Sequence, residues 1–288
     1  MMDASSKRFR RRKFYNRLFH VLFFLATLFG VFVLGLLFYD IIRDGWRHLD
    51  WHFLTSFASR FVDRSGIYAA LMGTLWVIGL TVPMIFIIGV STAIYLEEYQ
   101  EKRRWGKIVQ VNINNLAGVP SIIYGILGLA IFVRTLNLGF VVLVGALTMT
   151  LLVLPIIIVA SQEALRSVPV SLRYASYALG ATKWQTVVRV VLPSAFPGIL
   201  TGTILAVSRA LGETAPLIMV GAVTFLRFVP TGLFDRYTAL PIQIYSWIRL
   251  PQEEFHELAA AAIIVLLFIL LSLNATAIYI RNRFQRQY

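Results

Sequence analysis

Six long stretches without Asp, Glu, Lys or Arg run through this chain, at 18–39, 67–96, 108–133, 135–162, 190–208 and 258–280. A helix needs about 20 apolar residues to cross the hydrocarbon of a bilayer, and only internally bonded backbone is tolerated there. The pattern therefore predicts an all-α integral membrane protein with six transmembrane helices in one domain. Composition agrees: of 288 residues, 58% are hydrophobic and 14% charged, too few polar groups to coat a soluble domain of that size. The second stretch exceeds the length of one span, and Pro83 within it predicts a kink, because proline leaves a helical carbonyl without its donor.

The formal net charge of +13 would suit nucleic acid, but the basic residues follow the connections between spans. With the N-terminus inside, inward segments carry 18 lysines and arginines and outward segments 8, leaving Arg209 alone within a span. Positive-inside bias accounts for that split without nucleic acid and places both termini in the cytoplasm. The inner basic residues include Lys102, Arg103 and Arg286. The first stretch is longer than a signal-peptide core and lacks a small-x-small site behind it, so it reads as a retained signal anchor. The organisation expected is a basic cytoplasmic N-terminus at 1–17, a first helix and outer segment at 18–66, a transmembrane domain at 67–280 and a cytoplasmic tail at 281–288. The outer segments 40–66 and 224–257 mix both charge signs with Trp and Pro, as short ordered caps at an interface do. No cysteine is present, which removes disulfide and thiolate chemistry.

The polar stretch 163–193 lies between two spans and faces the cytoplasm in this topology. Its sequence reads as two short helices joined at Gly180: Ser171 caps the first, Gly180 ends it in the left-handed conformation, and Thr182 starts the second. Trp184, Val187, Val188 and Val191 follow helical spacing on the second, with Lys183 and Arg189 among its polar positions. Such an amphipathic helix either lies on anionic lipid or is presented to a groove on a soluble protein.

The stretch resembles the cytoplasmic coupling loop of bacterial ABC-importer permeases, written EAA, three residues, Gly, nine residues, Ile, one residue, Leu, Pro. Ala175, Gly180, Leu192 and Pro193 match that pattern, with Ala181 following the glycine. Ser176 and Val190 are mild changes, and Tyr174 stands where the family has an acid, which leaves open the contact that acid would make. Three further segments, 208–217 (SRALGETAPL), 116–132 (LAGVPSIIYGILGLAIF) and 238–262, are similar to the PstA-type permeases of phosphate importers, over about 67–280. The resemblance implies a type I importer permease of the MetI-like fold in a bacterial inner membrane. It also implies a heterodimer with a PstC-like permease, a PstB-like ATPase dimer that binds ATP and Mg, and a periplasmic phosphate-binding protein. No cofactor is implied in this chain, and no GxxxxGK[ST] phosphate-binding loop occurs in it.

Arg209 and Glu213, four residues apart, would share one face of the fifth helix. Charges retained in a span pair with one another or line an aqueous path. The pair is thus either an internal lock between helices or, with Thr214, part of a phosphate path in which Glu213 holds the guanidinium when substrate is absent. Pro216 would leave the Gly212 carbonyl free and bend the helix beside them. Gly198, Gly202, Ala206 and Ala210 recur every four residues as a packing stripe, and Ala117, Ser121 and Gly125 form a similar stripe on the third helix. Asn112, Asn114 and Asn115 either line a vestibule or satisfy backbone at the membrane boundary. His48 and His52 have the spacing of a metal pair but no third ligand, so no metal is expected. His20 is the only histidine in a span and has no nucleophile or acidic pair to serve, which argues against an intramembrane enzyme. An importer of another oxyanion, sulfate or molybdate, and an anion channel stand as the alternatives.

Overall fold

A computed structural model describes residues 3–100, 104–223 and 225–284 of the chain. Lys102, Arg103 and Arg286, counted above among the inner basic residues, lie outside the described residues. Those described form helices and loops with no strand among them. In chain order the helices are α1 Asp3–Gly45, α2 Trp51–Thr55, α3 Tyr68–Ile94, α4 Arg104–Ala117, α5 Ser121–Gly128 and α6 Val142–Arg166. They continue with α7 Val170–Ala178, α8 Lys183–Thr186, α9 Leu192–Gly212, α10 Ala215–Met219, α11 Leu240–Ile248 and α12 Glu253–Phe284. Short π-helical segments extend α3 to Tyr99 and α5 to Thr135, and join α8 to α9.

Five of these runs are long and apolar enough to span a membrane alone, and the bent pair α4–α5 brings the number to six where it is counted as one broken span. The third stretch is therefore not the single helix expected, because its two halves meet at 105°. The cause is local. Pro120 has no N–H for the Leu116 carbonyl and disfavours helical geometry at Val119. That carbonyl instead receives the Tyr124 hydroxyl at 2.7 Å and the Val119 N–H at 3.1 Å, which caps α4 and turns the chain. Ala117 and Ser121 consequently fall on opposite sides of the break and make no common stripe. Pro83 has no such effect, and α3 runs through it from Tyr68 to Ile94.

Helix α6 lies at the centre, between α3 and α9, with α5 also against it. In its most apolar stretch 67% of residues are buried, against 0% for α1, whose apolar side chains over 14–39 are all exposed. A helix apolar all round belongs in lipid or against another membrane chain. Lipid tails compete with any apolar contact, so close packing of small residues rather than water expulsion holds such helices together. Gly198 and Gly202 of α9 show this. A Cβ at Gly198 would come within 2.7 Å of the Ala164 Cβ, and one at Gly202 would overlap that of Ala160. Ala206 and Ala210 continue the stripe into the core with Val77, Ile78, Met149 and Leu152. Helix α1 touches the rest through α12, where Gly45 lies on the backbone of Ala260 and Ala261.

The helix ends sort into two faces. On one, His48 Nε2 meets Glu257 Oε2 at 2.7 Å, and Val142 and Leu143 donate backbone bonds to Asp235 and Leu233. On the other, the end of α3 meets the end of α6 and the α7–α8 hairpin through Arg166–Glu97 and Arg173–Glu98, both 2.9 Å. Successive spans thus cross in opposite directions.

Candidate functional site

Two constellations stand at opposite ends of one helical rod. The first is the α7–α8 hairpin. Ser171 does not cap α7, because the helix starts one residue earlier behind Pro169 (φ −54°), which fills the N-cap without a side-chain bond. Gly180 closes it at φ +80°. Its N–H bonds the Tyr177 carbonyl at 2.9 Å and that of Ala181 bonds Ser176 at 3.2 Å, the paired bonds of a Schellman turn. Thr182 then caps α8 reciprocally with Gln185: the Gln185 N–H donates to Thr182 Oγ1, and the Thr182 N–H to Gln185 Oε1. A hydroxyl contact between Ser176 and Thr186 at 2.9 Å ties the two helices together.

Helix α8 is not separate from the fifth span as the sequence suggested. It continues through Val187–Val191 into α9, giving one helix over Lys183–Gly212. The π-helical turn lies just ahead of Pro193, whose missing N–H leaves a place for an irregular turn. Val187 and Val191 are buried in the bundle, and Leu192 packs beside them, while Trp184 points away. The hairpin presents Tyr174 (68% exposed), Leu179 (89%) and Trp184 (65%) together with the exposed Ala175. Large apolar groups are thus held out from the bundle by a turn that is fully hydrogen-bonded.

The second constellation is at the far end of α9. Glu213 does not continue the helix as expected. Helix α9 ends at Gly212, and Glu213 is extended (φ −80°, ψ 124°). Its carboxylate still reaches back to Arg209, with Nε to Oε1 at 3.3 Å and side chains 40% and 19% exposed. Pro216 therefore does not bend α9. It sits in the first turn of a new helix, α10, where a missing N–H costs no bond. Thr214 is the N-cap of α10, and its hydroxyl makes no capping bond. Gly125 of α5 packs on Pro216 and Met219, so α5 lies against the helix that restarts beside the charged pair. Broken helices in a membrane are tolerated where they face protein or an aqueous cavity.

Reading uncharged stretches overlooked several polar contacts. Ser208 Oγ bonds Asn274 Oδ1 at 3.0 Å between α9 and α12. Gln110 and Gln162 exchange amide bonds at 3.1 and 2.9 Å between α4 and α6, and Gln110 also reaches Asn114. Asn112 bonds its own helix at Ile108. Amides inside apolar runs were the available signal. His48 binds Glu257 rather than pairing with His52, and no cluster of three metal-ligating residues occurs among the described residues.

Residues 85–286 match the family described as binding-protein-dependent transport system inner membrane component. The chain belongs to that family. Among its relatives, PstA 1 of Mycobacterium tuberculosis, strain H37Rv, named a phosphate transport system permease protein, is 33% identical over 277 residues, covering 94% of this permease and 89% of the relative. The PstA of Haemophilus influenzae is 31% identical over 271 residues, covering 94% and 95%. Solved structures share the fold. A chain of a bacterial alginate ABC transporter in complex with an alginate-pentasaccharide-bound periplasmic protein superposes with a TM-score of 0.68 at 15% identity, covering 94% of the permease and 96% of that chain. A chain of the inward-facing MetNI methionine ABC transporter gives 0.62 at 20%, covering 76% and 98%. The permease is thus an all-α, multi-pass inner-membrane protein of the type I importer fold.

Proposed function

We infer that the protein is the permease subunit of an ATP-driven phosphate importer, one half of a translocation pathway completed by a PstC-like permease. Its similarity to PstA proteins supports the substrate. The observation that carries the mechanism is the continuity of α8 with α9. At 1.5 Å per residue the 30-residue helix Lys183–Gly212 is about 45 Å long, with the docking hairpin at one end and Arg209 at the other. A push on the hairpin therefore moves the charged end directly.

In this reading a PstB-like ATPase dimer, which binds ATP and Mg, grips Tyr174, Leu179 and Trp184 on the cytoplasmic face. Both termini are then cytoplasmic, a periplasmic phosphate-binding protein delivers substrate to the opposite face, and the hydrolytic step belongs to the ATPase. Tyr174, in place of an acid, offers the ATPase an aromatic surface rather than a charge. Arg209 is half-exposed on the face of the bundle, and its planar fork suits two phosphate oxygens. Glu213 holds the guanidinium between substrates, and the Thr214 hydroxyl is free to donate a further bond. Closure and opening of the ATPase dimer alternate access to this site.

The test is reconstitution of the complete transporter in proteoliposomes. Phosphate accumulation and phosphate-stimulated ATP hydrolysis are expected, with sulfate and molybdate as weak competitors. Phosphate flux without ATP would indicate a channel, and preference for sulfate or molybdate would refute the substrate.

A further inference from the structure

Three consecutive residues at the end of α3 each hold a different cation around the hairpin. Glu97 binds Arg166 at the end of α6, with Oε2 to Nε at 2.9 Å. Glu98 binds Arg173 of α7, with Oε1 to a terminal guanidinium nitrogen at 2.9 Å. The Tyr99 ring lies 5.0 Å from Lys183 Nζ, at the first residue of α8. Neighbouring side chains leave a helical turn in different directions, so one short segment reaches three elements.

The three contacts differ in weight. Arg166 and Glu97 are 48% and 21% exposed, and Trp184 beside Lys183 is open to solvent. Exposed pairs of this kind contribute little and are screened by salt. Arg173 and Glu98 are only 15% and 8% exposed. The Arg173 guanidinium also donates to the carbonyls of Leu165 at 2.9 Å and Val168 at 2.7 Å, acceptors left over where α6 ends. One fork therefore joins α3, α6 and α7. Helix α7 has no buried residue of its own, and Leu172 is its one part-buried apolar contact with the core. Ser176 ties it to α8, and its seat against α3 and α6 depends on Arg173.

We propose that Glu98 and Arg173 form a transmission clamp, positioning residues that pass hairpin displacement to α3 while the α8–α9 rod carries it to Arg209. Helix α3 packs through Val77 and Ile78 against Ala210 and Leu211, next to Arg209, so the two routes converge there. With the clamp closed, α3, α6 and α9 move as one body. Without it, the share of the load borne by α7 bends that helix away from α3 and does not reach it, leaving the α8–α9 rod as the one route.

The proposal rests on the transporter reading, so the wild-type complex is the control that separates the two. Failure of the wild type to couple hydrolysis to phosphate uptake refutes the transporter, whereas the clamp is judged on variants of a coupled wild type. Glu98→Gln, Arg173→Gln and the double variant are reconstituted with the ATPase, companion permease and binding protein. Complex yield, ATP hydrolysis and phosphate uptake are measured. The clamp predicts normal yield, continued hydrolysis and falling uptake. ATP consumed per phosphate imported should rise about fivefold or more, the lower end of ordinary coupling between linked sites. The double variant should be no worse than either single one, because all three lose the same link. An unchanged ratio in the assembled variants overturns the clamp. So does a loss of assembly common to all three, which would make the pair a support of the fold. If a single variant fails to assemble because it strands one buried charge, the neutral double variant decides: a raised ratio supports the clamp and a wild-type ratio refutes it.

Discussion

Replacing Gly180 tests whether the hairpin turn governs coupling. The residue sits at φ +80°, and a Cβ built there would meet nothing within 4 Å. Side-chain size therefore costs nothing inside this chain, and the whole penalty is conformational. A left-handed L-residue costs roughly 1–2 kcal/mol, less for Asn, which visits that region, and more for a β-branched residue. Such a penalty changes a two-state ratio by a factor of about 5–30. If the open turn competes with the closed one, apparent ATPase affinity falls by the fraction of hairpins no longer competent to dock. Gly180→Asn should bind nearly as the wild type, Gly180→Ala should lose about 5–30-fold at most, and Gly180→Val should lose more. The assay titrates purified ATPase onto the permease pair in nanodiscs and measures phosphate uptake in parallel. Normal uptake by Gly180→Val would refute the reasoning. Equal loss in Asn and Val would point instead to a collision with the ATPase.

Arg209→Gln should abolish uptake with the complex assembled, and Glu213→Gln should change apparent affinity more mildly. Glu213→Gln strands Arg209 at 40% exposure and Arg209→Gln strands Glu213 at 19%, so neither leaves a fully buried charge and assembly should survive both changes; recovery of transport in the double neutral variant would remove Arg209 from the pathway. A cysteine at the exposed Arg60 should react with an impermeant reagent from outside and one at Leu179 only from inside; labelling of Leu179 from outside would invert the topology. The Asp235 carboxyl is held below the usual carboxylate range by hydrogen bonds from the Thr231 N–H, the Thr231 hydroxyl and the Gly232 N–H. A depressed folded value means its support is complete above the unfolded value, about 3.9, and is lost as pH falls through the lower folded one. Amide exchange around 229–237 should therefore stay protected at neutral pH and loosen only in strong acid, while Asp235→Ala loosens it at every pH; unchanged exchange in that variant would exclude the turn.

The long apolar runs of this chain admit little besides membrane helices, because bilayer thickness and backbone hydrogen bonding leave few options. Gly180 and Thr182 announced their turn for a similarly local reason: only glycine takes that φ cheaply, and a hydroxyl at a helix start has an N–H to accept. Hydropathy says nothing of direction, so the break at Pro120 was hidden inside an apolar run, even though Pro83 leaves its own helix whole. The difference lies in what replaces the missing donor, and the Tyr124 hydroxyl that serves Leu116 arrives only when α5 folds back over α4. Arg209 and Glu213 were legible as a pair, since four residues separate them, but not as a pair spanning a helix end. The clamp was the least legible part, because Glu98 and Arg173 are 75 residues apart and each looks like an ordinary charge at a membrane boundary. Local chemistry written in the sequence determined the apolar spans, the Thr182 cap and the hairpin turn. The tertiary structure alone decided which ends meet, because those contacts depend on the packing of α3 and α9 against α6, where separations of tens of residues close into single hydrogen bonds.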